Sequence, residues 1–324
     1  MPDLLDLHPA PADVRRLVIE GLSRSPKQLP AWFLYDAEGS RLFDLICQQP
    51  EYSLTATETA LLEAQAPAIT AALGPGTLVE FGAGSARKVS PLLEAIEAAG
   101  RTPAYMALDI SAEHLQEACG RLQRRHPAAA IAGICCDYSQ LQALPEHPLL
   151  SGSAHLGFFP GSSLGNFEPA AACALLRQFR RLLGPGGTLL IGIDQPKPVD
   201  RLEAAYNDAA GISAAFALNL LARLNRELAG DFDPAAFRYR ARWIPQASHI
   251  EMALVSEREQ TVTLAGQRWT FAASEALITE TSAKYDPEAF LTLAAAAGWR
   301  GAQRWSDPAG DLSLHLLVQA DSGN

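Results

Sequence analysis

The run Thr77-Leu78-Val79-Glu80-Phe81 is apolar, short, and followed at once by Gly82-Ala83-Gly84-Ser85. Glycines there allow the backbone to turn sharply, so the segment reads as a buried strand feeding a helix over residues 88–99. This βα unit recurs. Ala104–Asp109 is followed by Ser111 as a helix cap and by Leu115, Ala118 and Leu122 on one helical face. Residues 129–137 form a third strand closing on Asp137, and His155–Phe159 a fourth that ends at Pro160 and Gly161. A helix over 169–183, the turn Gly184-Pro185-Gly186-Gly187 and the strand Thr188–Asp194 complete the series. Strands alternating with helices across short turns imply an α/β fold, a parallel, doubly wound, Rossmann-like sheet.

Beyond Asp194 the rhythm breaks. A long helical stretch over 203–228 precedes residues 248–256 and 260–271, whose alternation of β-branched and aromatic residues predicts a hairpin. A helix over 287–297 and strands near 300–305 and 312–318 then close the chain. Residues 61–196 with 286–324 are therefore expected to form the sheet domain, and 1–60 with 197–285 an α+β substrate-binding or lid domain.

Composition limits the partners. A net charge of −10 disfavours a nucleic-acid backbone, and the basic cluster Arg121, Arg124, Arg125 reads as the solvated end of a helix. The chain is 48% hydrophobic, but no apolar run is long enough for a membrane span, and the N-terminus lacks a secretory signal pattern, so a cytoplasmic location is expected. Five scattered cysteines without a C-x-x-C pair fit reduced thiols. None of the seven histidines has ligand spacing, so no metal is expected, and the chain is expected to be a monomer acting on a small molecule.

Glu80-Phe81-Gly82-Ala83-Gly84 sits where a strand meets a helix, a place where the backbone can approach a ligand and free N–H groups face an anion. A dinucleotide fingerprint needs a small residue where this chain has Arg87, which argues against a nucleotide-dependent dehydrogenase. An acid before G-x-G resembles instead the pattern of S-adenosylmethionine-dependent methyltransferases. Asp109 ends the second strand, where a carboxylate can accept ribose hydroxyls, and Asp137-Tyr138 ends the third, where adenine is expected. Lys88 is either a solvated first-turn residue or a cation for the methionyl carboxylate.

Several further segments occur together: Tyr35 to Ser40 with Leu42-Phe43, Pro50 to Thr55, Phe159 to Phe167, Ala205 to Gly211, Glu251-Met252, and Thr279 to Tyr285. In this combination the chain resembles the histidine-specific methyltransferase family, over almost its whole length. The resemblance implies a class I methyltransferase sheet, S-adenosylmethionine as donor, and S-adenosylhomocysteine as by-product. It implies repeated transfer to the α-amine of L-histidine to give hercynine, as in ergothioneine biosynthesis. It further implies that Asn166 and Tyr206 hold the α-carboxylate and that Glu280 and Ser282 read the imidazole nitrogens. Tyr52 would touch the imidazole end, Tyr35 and Phe43 would border the amine and methyl group, and Met252 would pack the ring. Gly82, Gly84, Lys88, Asp109, Asp137 and Tyr138 would take the donor. Two positions depart from the family pattern: Ser53 after Tyr52, and Phe81 after the strand acid.

Neutral imidazole has one donor and one acceptor, and residues i and i+2 on a strand share a face, so a carboxylate and a hydroxyl at 280 and 282 can satisfy both nitrogens. Singly, Tyr35, Tyr52 and Tyr206 read as packing residues, Met252 as core, Glu280 as a surface charge and Asn166 as a turn residue. Tyr35, or a water beside it, is the candidate for steering deprotonation of the amine, and Tyr35 and Asn166 are the residues assigned to catalysis. The alternatives are an N-methyltransferase for another small amino acid or amine, and a non-catalytic methyltransferase-like partner protein.

Overall fold

The computed structural model describes residues 2–7 and 11–320. Chain contacts group into two compact units. One takes the N-terminal strand, Leu54–Pro196 and the chain from Lys284 onward; the other takes the segment ending at Ser53 and Lys197–Ala283.

The first unit is built on an eight-stranded sheet in the order Asp3–Asp6, Ala130–Cys135, Ala104–Asp109, Thr77–Phe81, His155–Phe159, Thr188–Asp194, Leu312–Gln319, Trp299–Ser306. The first six strands run parallel, as the βα alternation requires. The last two are antiparallel and joined as a hairpin, which a short connection permits and a parallel pair does not. Starting at Thr77–Phe81 the chain first builds outward through Ala104–Asp109 and Ala130–Cys135, then reverses to add His155–Phe159 and Thr188–Asp194 on the opposite side. Such a reversal opens a crevice at the carboxyl ends of the strands on either side of it.

Helix Pro169–Leu183 explains why one sheet face is dry. Ala172, Leu175, Leu176, Phe179, Leu182 and Leu183 recur at helical spacing and are buried. The Phe179 ring stacks on Phe81 with centroids 4.1 Å apart. Full burial of side chains of this size contributes about 1.5–3 kcal/mol each.

The domain boundaries drawn from sequence differ from this division by two residues at 284–285 and, more substantially, in two other places. Asp3–Asp6 adds to the sheet beside Ala130–Cys135, and helix Ser53–Leu73 belongs to the sheet unit from Leu54 on. Both follow from pairings between segments distant in sequence, which local patterning does not carry.

The second unit holds a four-stranded sheet in the order Lys27–Gln28, Ala276–Ala283, His249–Ser256, Phe237–Ile244. The hairpin expected between 248–256 and 260–271 does not form. His249–Ser256 is instead the interior strand between Ala276–Ala283 and Phe237–Ile244. Gln260–Leu264 pairs with Gln267–Phe271 around Ala265-Gly266, both at positive φ (54° and 76°), the backbone of a two-residue hairpin turn. The single helical stretch expected over 203–228 is two helices, Val199–Tyr206 and Ile212–Leu228. Between them Gly211 turns at φ 73°, and the Asp208 carboxylate accepts the N–H groups of Ile212 and Ser213, both at 2.7 Å, which closes the start of the second helix.

Among the described residues no helix is long and apolar enough to cross a membrane. The five cysteines are thiols.

Candidate active site

In the sheet unit the turn after Thr77–Phe81 holds Gly82 at φ 74° and Gly84 at φ 51°, where a side chain is strained. A Cβ at Gly84 would meet nothing within 4 Å, so the loop has open space above it. The loop is tied to the next strand: Gly82 and Ala83 donate to the Leu108 carbonyl at 2.8 and 2.9 Å. Asp109 completes the tie, with Oδ2 accepting Gly84 N–H at 2.8 Å and Oδ1 accepting Ser111 N–H at 3.0 Å. Burial raises the Asp109 carboxyl from its ordinary range, against those two hydrogen bonds, which lower it. Each carboxylate oxygen keeps lone-pair capacity for a hydroxyl. Open space above Gly84, an aromatic wall at Gly82 and an acceptor carboxylate at the neighbouring strand end together fit an adenosyl donor.

Asp137 and Tyr138 follow the third strand. Asp137 Oδ1 accepts both Ser139 N–H (2.9 Å) and Ser139 Oγ (2.6 Å), fixing the turn, while the Tyr138 carbonyl accepts Gln178 Nε2 at 2.6 Å. The Tyr138 ring is held by Phe159 at 5.9 Å and comes within 3.5 Å of where a Gly82 Cβ would stand. An apolar ring thus walls the glycine loop. Glu80, on the strand itself, is 1% exposed and accepts Tyr105 Oη at 2.6 Å. Burial pushes its carboxyl up to about 8, against the Tyr105 hydrogen bond and the Lys88 charge. Lys88 is not a solvated residue: its Nζ lies 2.7 Å from Glu58 of helix Ser53–Leu73. Asn166 also belongs to this unit, at the end of the short helical turn Ser163–Asn166.

The remaining acceptor candidates lie in the second unit. Glu280 and Ser282 are on Ala276–Ala283 and are 9% and 5% exposed, so neither is a surface group. Their strand partners are Met252 and Ile250, which in turn pair with Ala241 and Trp243. A register shift between Ile278 and Glu280 leaves Thr279 bulged, a device that re-aims the residues beyond it. Thr279 Oγ1 donates to the Met252 carbonyl at 3.2 Å. Helix Val199–Tyr206 closes over this sheet. Leu202 packs with Ala241, Ile250 and Met252, and Tyr206, Tyr239 and Trp243 border the cluster.

The hydroxyls of Tyr206 and Ser282 share a hydrogen bond of 2.8 Å, and Tyr239 Oη donates to the Tyr206 carbonyl at 3.0 Å. Rings extend the arrangement through edge contacts. Tyr206 meets Tyr52 at 5.9 Å, Tyr52 meets Phe43 at 6.4 Å, and Phe43 meets Tyr35 at 5.4 Å. The structure therefore brings Tyr35, Phe43, Tyr52, Tyr206 and Ser282 into one connected series, with Glu280 and Met252 on the strand pair beside it.

Residues 14–319 match the model of the histidine-specific, S-adenosylmethionine-dependent methyltransferases. The chain belongs to this family. The histidine N-alpha-methyltransferase of Mycolicibacterium smegmatis is 40% identical over 312 residues, covering 94% of this chain and 95% of its own. That of Mycobacterium tuberculosis is 37% identical over 309 residues, covering the same shares. Ergothioneine biosynthesis protein 1 of Neurospora crassa is 28% identical over 311 residues, which are 91% of this chain and 33% of the fungal protein.

In this S-adenosylmethionine-dependent methyltransferase, residues that sequence reading did not single out neighbour these groups. Phe216, from helix Ile212–Leu228, stands 5.3 Å from Tyr35 and 6.0 Å from Phe43. Tyr239 is half-buried and its hydroxyl is raised in pKa, first by desolvation and then by the nearby Glu280 charge. The strand Phe237–Ile244 that carries it was not anticipated, although Arg238, Arg240 and Arg242 alternate with Phe237, Tyr239, Ala241 and Trp243 as a half-buried strand requires. Asp194 and Lys284 form a buried ion pair at 2.7 Å. Each carried a signal, Asp194 as the carboxylate ending a predicted strand and Lys284 as a charge within the segment Thr279 to Tyr285, but neither pointed to the other. Among the described residues there is no group of three His, Cys, Asp or Glu suited to a metal.

Proposed function

We propose that the enzyme transfers methyl groups from S-adenosylmethionine to the α-amine of L-histidine, in three rounds, giving hercynine and S-adenosylhomocysteine, as in ergothioneine biosynthesis. The observation that carries this reading is a carboxylate and a hydroxyl, Glu280 and Ser282, both buried two residues apart on one strand. A carboxylate and a hydroxyl on one strand face can together meet the donor and the acceptor of a neutral imidazole. Such a site discriminates against side chains without ring nitrogens, which cannot make the hydrogen bonds that imidazole makes.

In this reading Asn166 and Tyr206 hold the α-carboxylate, Tyr52 touches the imidazole end, and Met252 packs the ring. Gly82, Gly84, Lys88, Asp109, Asp137 and Tyr138 hold the donor. When bound, the donor supplies a methyl group already activated by a sulfonium, so no covalent nucleophile is needed. The chain's own contribution is alignment, which supplies on the order of several kcal/mol of the barrier. The amine must be neutral before each round. Tyr35, half-buried and held at its ring edge by Phe43 and Phe216, is the group proposed to steer its proton away. The reaction is proposed to run in the cytoplasm, on a monomer, in keeping with a chain whose cysteines are thiols.

Turnover of labelled S-adenosylmethionine against a panel of amino acids tests the reading, with mass spectrometry to count methyl groups. Histidine alone should be methylated, to the trimethylated product. Glu280→Ala should lose about 100-fold in preference for histidine over other amino acids. Equal turnover of another amino acid by the unaltered enzyme would transfer the proposal to the rival, a methyltransferase for a different small amine.

A further inference from the structure

Helix Ser53–Leu73 buries Leu54, Leu61, Leu62, Ala66 and Ile69, and on that same apolar face it carries Glu58 at 0% exposure. A carboxylate among leucines costs several kcal/mol unless it is paired. Here it is paired twice. Oε2 lies 2.7 Å from Lys88 Nζ, and the backbone N–H of Gly161 donates to both oxygens, at 3.0 and 2.8 Å.

The sheet has been shaped to receive it. Gly192 stands in the middle of strand Thr188–Asp194, between Ile191 and Ile193, both fully buried. A Cβ there would come 1.9 Å from Glu58 Oε1, so only glycine leaves room for the carboxylate. Glycine inside a strand costs roughly 0.5–1 kcal/mol relative to alanine, and here it leaves space for the carboxylate.

The two partners of Glu58 lie on different functional segments. Lys88 follows the glycine loop. Gly161 opens the loop that ends in Asn166, and it sits at φ 81° beside Ser162 at φ 55°. Ser162, a residue that rarely adopts this conformation, is held in it by accepting the Asp194 N–H at 2.9 Å. Gly161 is held by Glu58. The backbone from Gly161 to Asn166 is thereby fixed at its start by one buried carboxylate that also fixes Lys88.

We propose that Glu58 is a positioning residue for the methyl transfer, setting the donor-side cation Lys88 and the acceptor-side loop 161–166 in one arrangement. The inference rests on the proposed function for the roles of Lys88 and Asn166. Glu58 touches neither substrate; it acts through the groups it holds.

The test uses the full chain with Glu58→Gln, which keeps the shape and an acceptor for Gly161 but removes the charge, together with Lys88→Met and the double variant. Titration calorimetry with S-adenosylhomocysteine, KM for histidine at saturating S-adenosylmethionine, and the thermal midpoint are measured for each. Glu58→Gln should weaken S-adenosylhomocysteine binding about tenfold, the scale of one charge-assisted hydrogen bond, and raise the KM for histidine severalfold. Lys88→Met should weaken the titration alone, and the double variant should lose no more than the worse single one. A Glu58→Gln enzyme that melts earlier yet keeps both the affinity and the KM within twofold would reduce Glu58 to a structural ion pair and overturn the proposal, as would losses that multiply in the double variant. If the glutamine variant does not fold, the same measurements on Glu58→Asp, which keeps the charge but withdraws it by one methylene, decide between the same outcomes. The titration needs no histidine, so an enzyme that prefers another amine fails the functional proposal while leaving this one to be judged separately.

Discussion

The sheet unit offers ligands backbone amides and strand-end carboxylates, drawn from Gly82 to Tyr138 in one continuous stretch. The second unit offers hydroxyls and rings gathered from Tyr35, Phe43, Tyr52, Tyr206 and Ser282, positions spread from the start of the chain to near its end. In the first, most groups sit on βα turns tied to the adjacent strand, as the glycine loop is to Leu108 and Asp109, with Lys88 held from outside by Glu58. In the second, each is fixed by a neighbour from a different segment, as Tyr206 is by Ser282 and Tyr239. A site of the first kind is insensitive to the identity of its acceptor, whereas one of the second kind can be re-specified by changing a hydroxyl.

The largest effect that can break this comparison is expected at Asp109. Asp109→Ala strips the acceptor from the N–H groups of Gly84 and Ser111 and, in the proposed function, from the donor's ribose, and S-adenosylhomocysteine affinity by calorimetry should fall by about 100-fold. Affinity within threefold of the unaltered enzyme would show that the strand-end carboxylate does not hold the donor.

Tyr206→Phe should act on the other unit alone. It removes the hydroxyl bonded to Ser282, worth about 1 kcal/mol, and should raise the KM for histidine roughly fivefold while S-adenosylhomocysteine affinity stays unchanged. A parallel loss of donor affinity would mean that the two sets of groups are not separable.

The smallest effect is one of stability. Glu80 has a folded carboxyl raised to about 8 from an ordinary 4.5, with burial as the main cause. A raised folded value means that the folded chain holds the proton more tightly than the unfolded chain. The associated stability is fully present below pH 4.5 and is lost as pH rises through about 8. The thermal midpoint of the unaltered enzyme should therefore fall by several degrees across that window, and that of Glu80→Gln should fall less. Parallel curves would show that Glu80 does not titrate there.

Legibility followed the same division. Thr77–Phe81, Ala104–Asp109, His155–Phe159 and Thr188–Asp194 were readable because each buried strand is a short apolar run ended by glycine or aspartate, and helix Pro169–Leu183 because its apolar face repeats at helical spacing. Strand Phe237–Ile244 was overlooked although its arginines alternate with apolar residues; what the sequence does not carry is the pairing of Arg240 and Arg242 with Glu251 of the neighbouring strand. Glu58 gave no signal either; in sequence it is one more glutamate in a helix, and its meaning depends on Gly161 and Gly192 arriving around it.

The sequence by itself determined the βα order, the glycine turn and the carboxylates at Asp109 and Asp137, because turn geometry and strand ends are settled by residues adjacent in the chain. Only the tertiary structure decided that Glu280 is buried rather than exposed, that Lys88 is paired with Glu58, and that Tyr206 meets Ser282. Those facts depend on contacts between segments far apart in the chain, and a charge or hydroxyl shows its partner only after packing has excluded the water that would otherwise satisfy it.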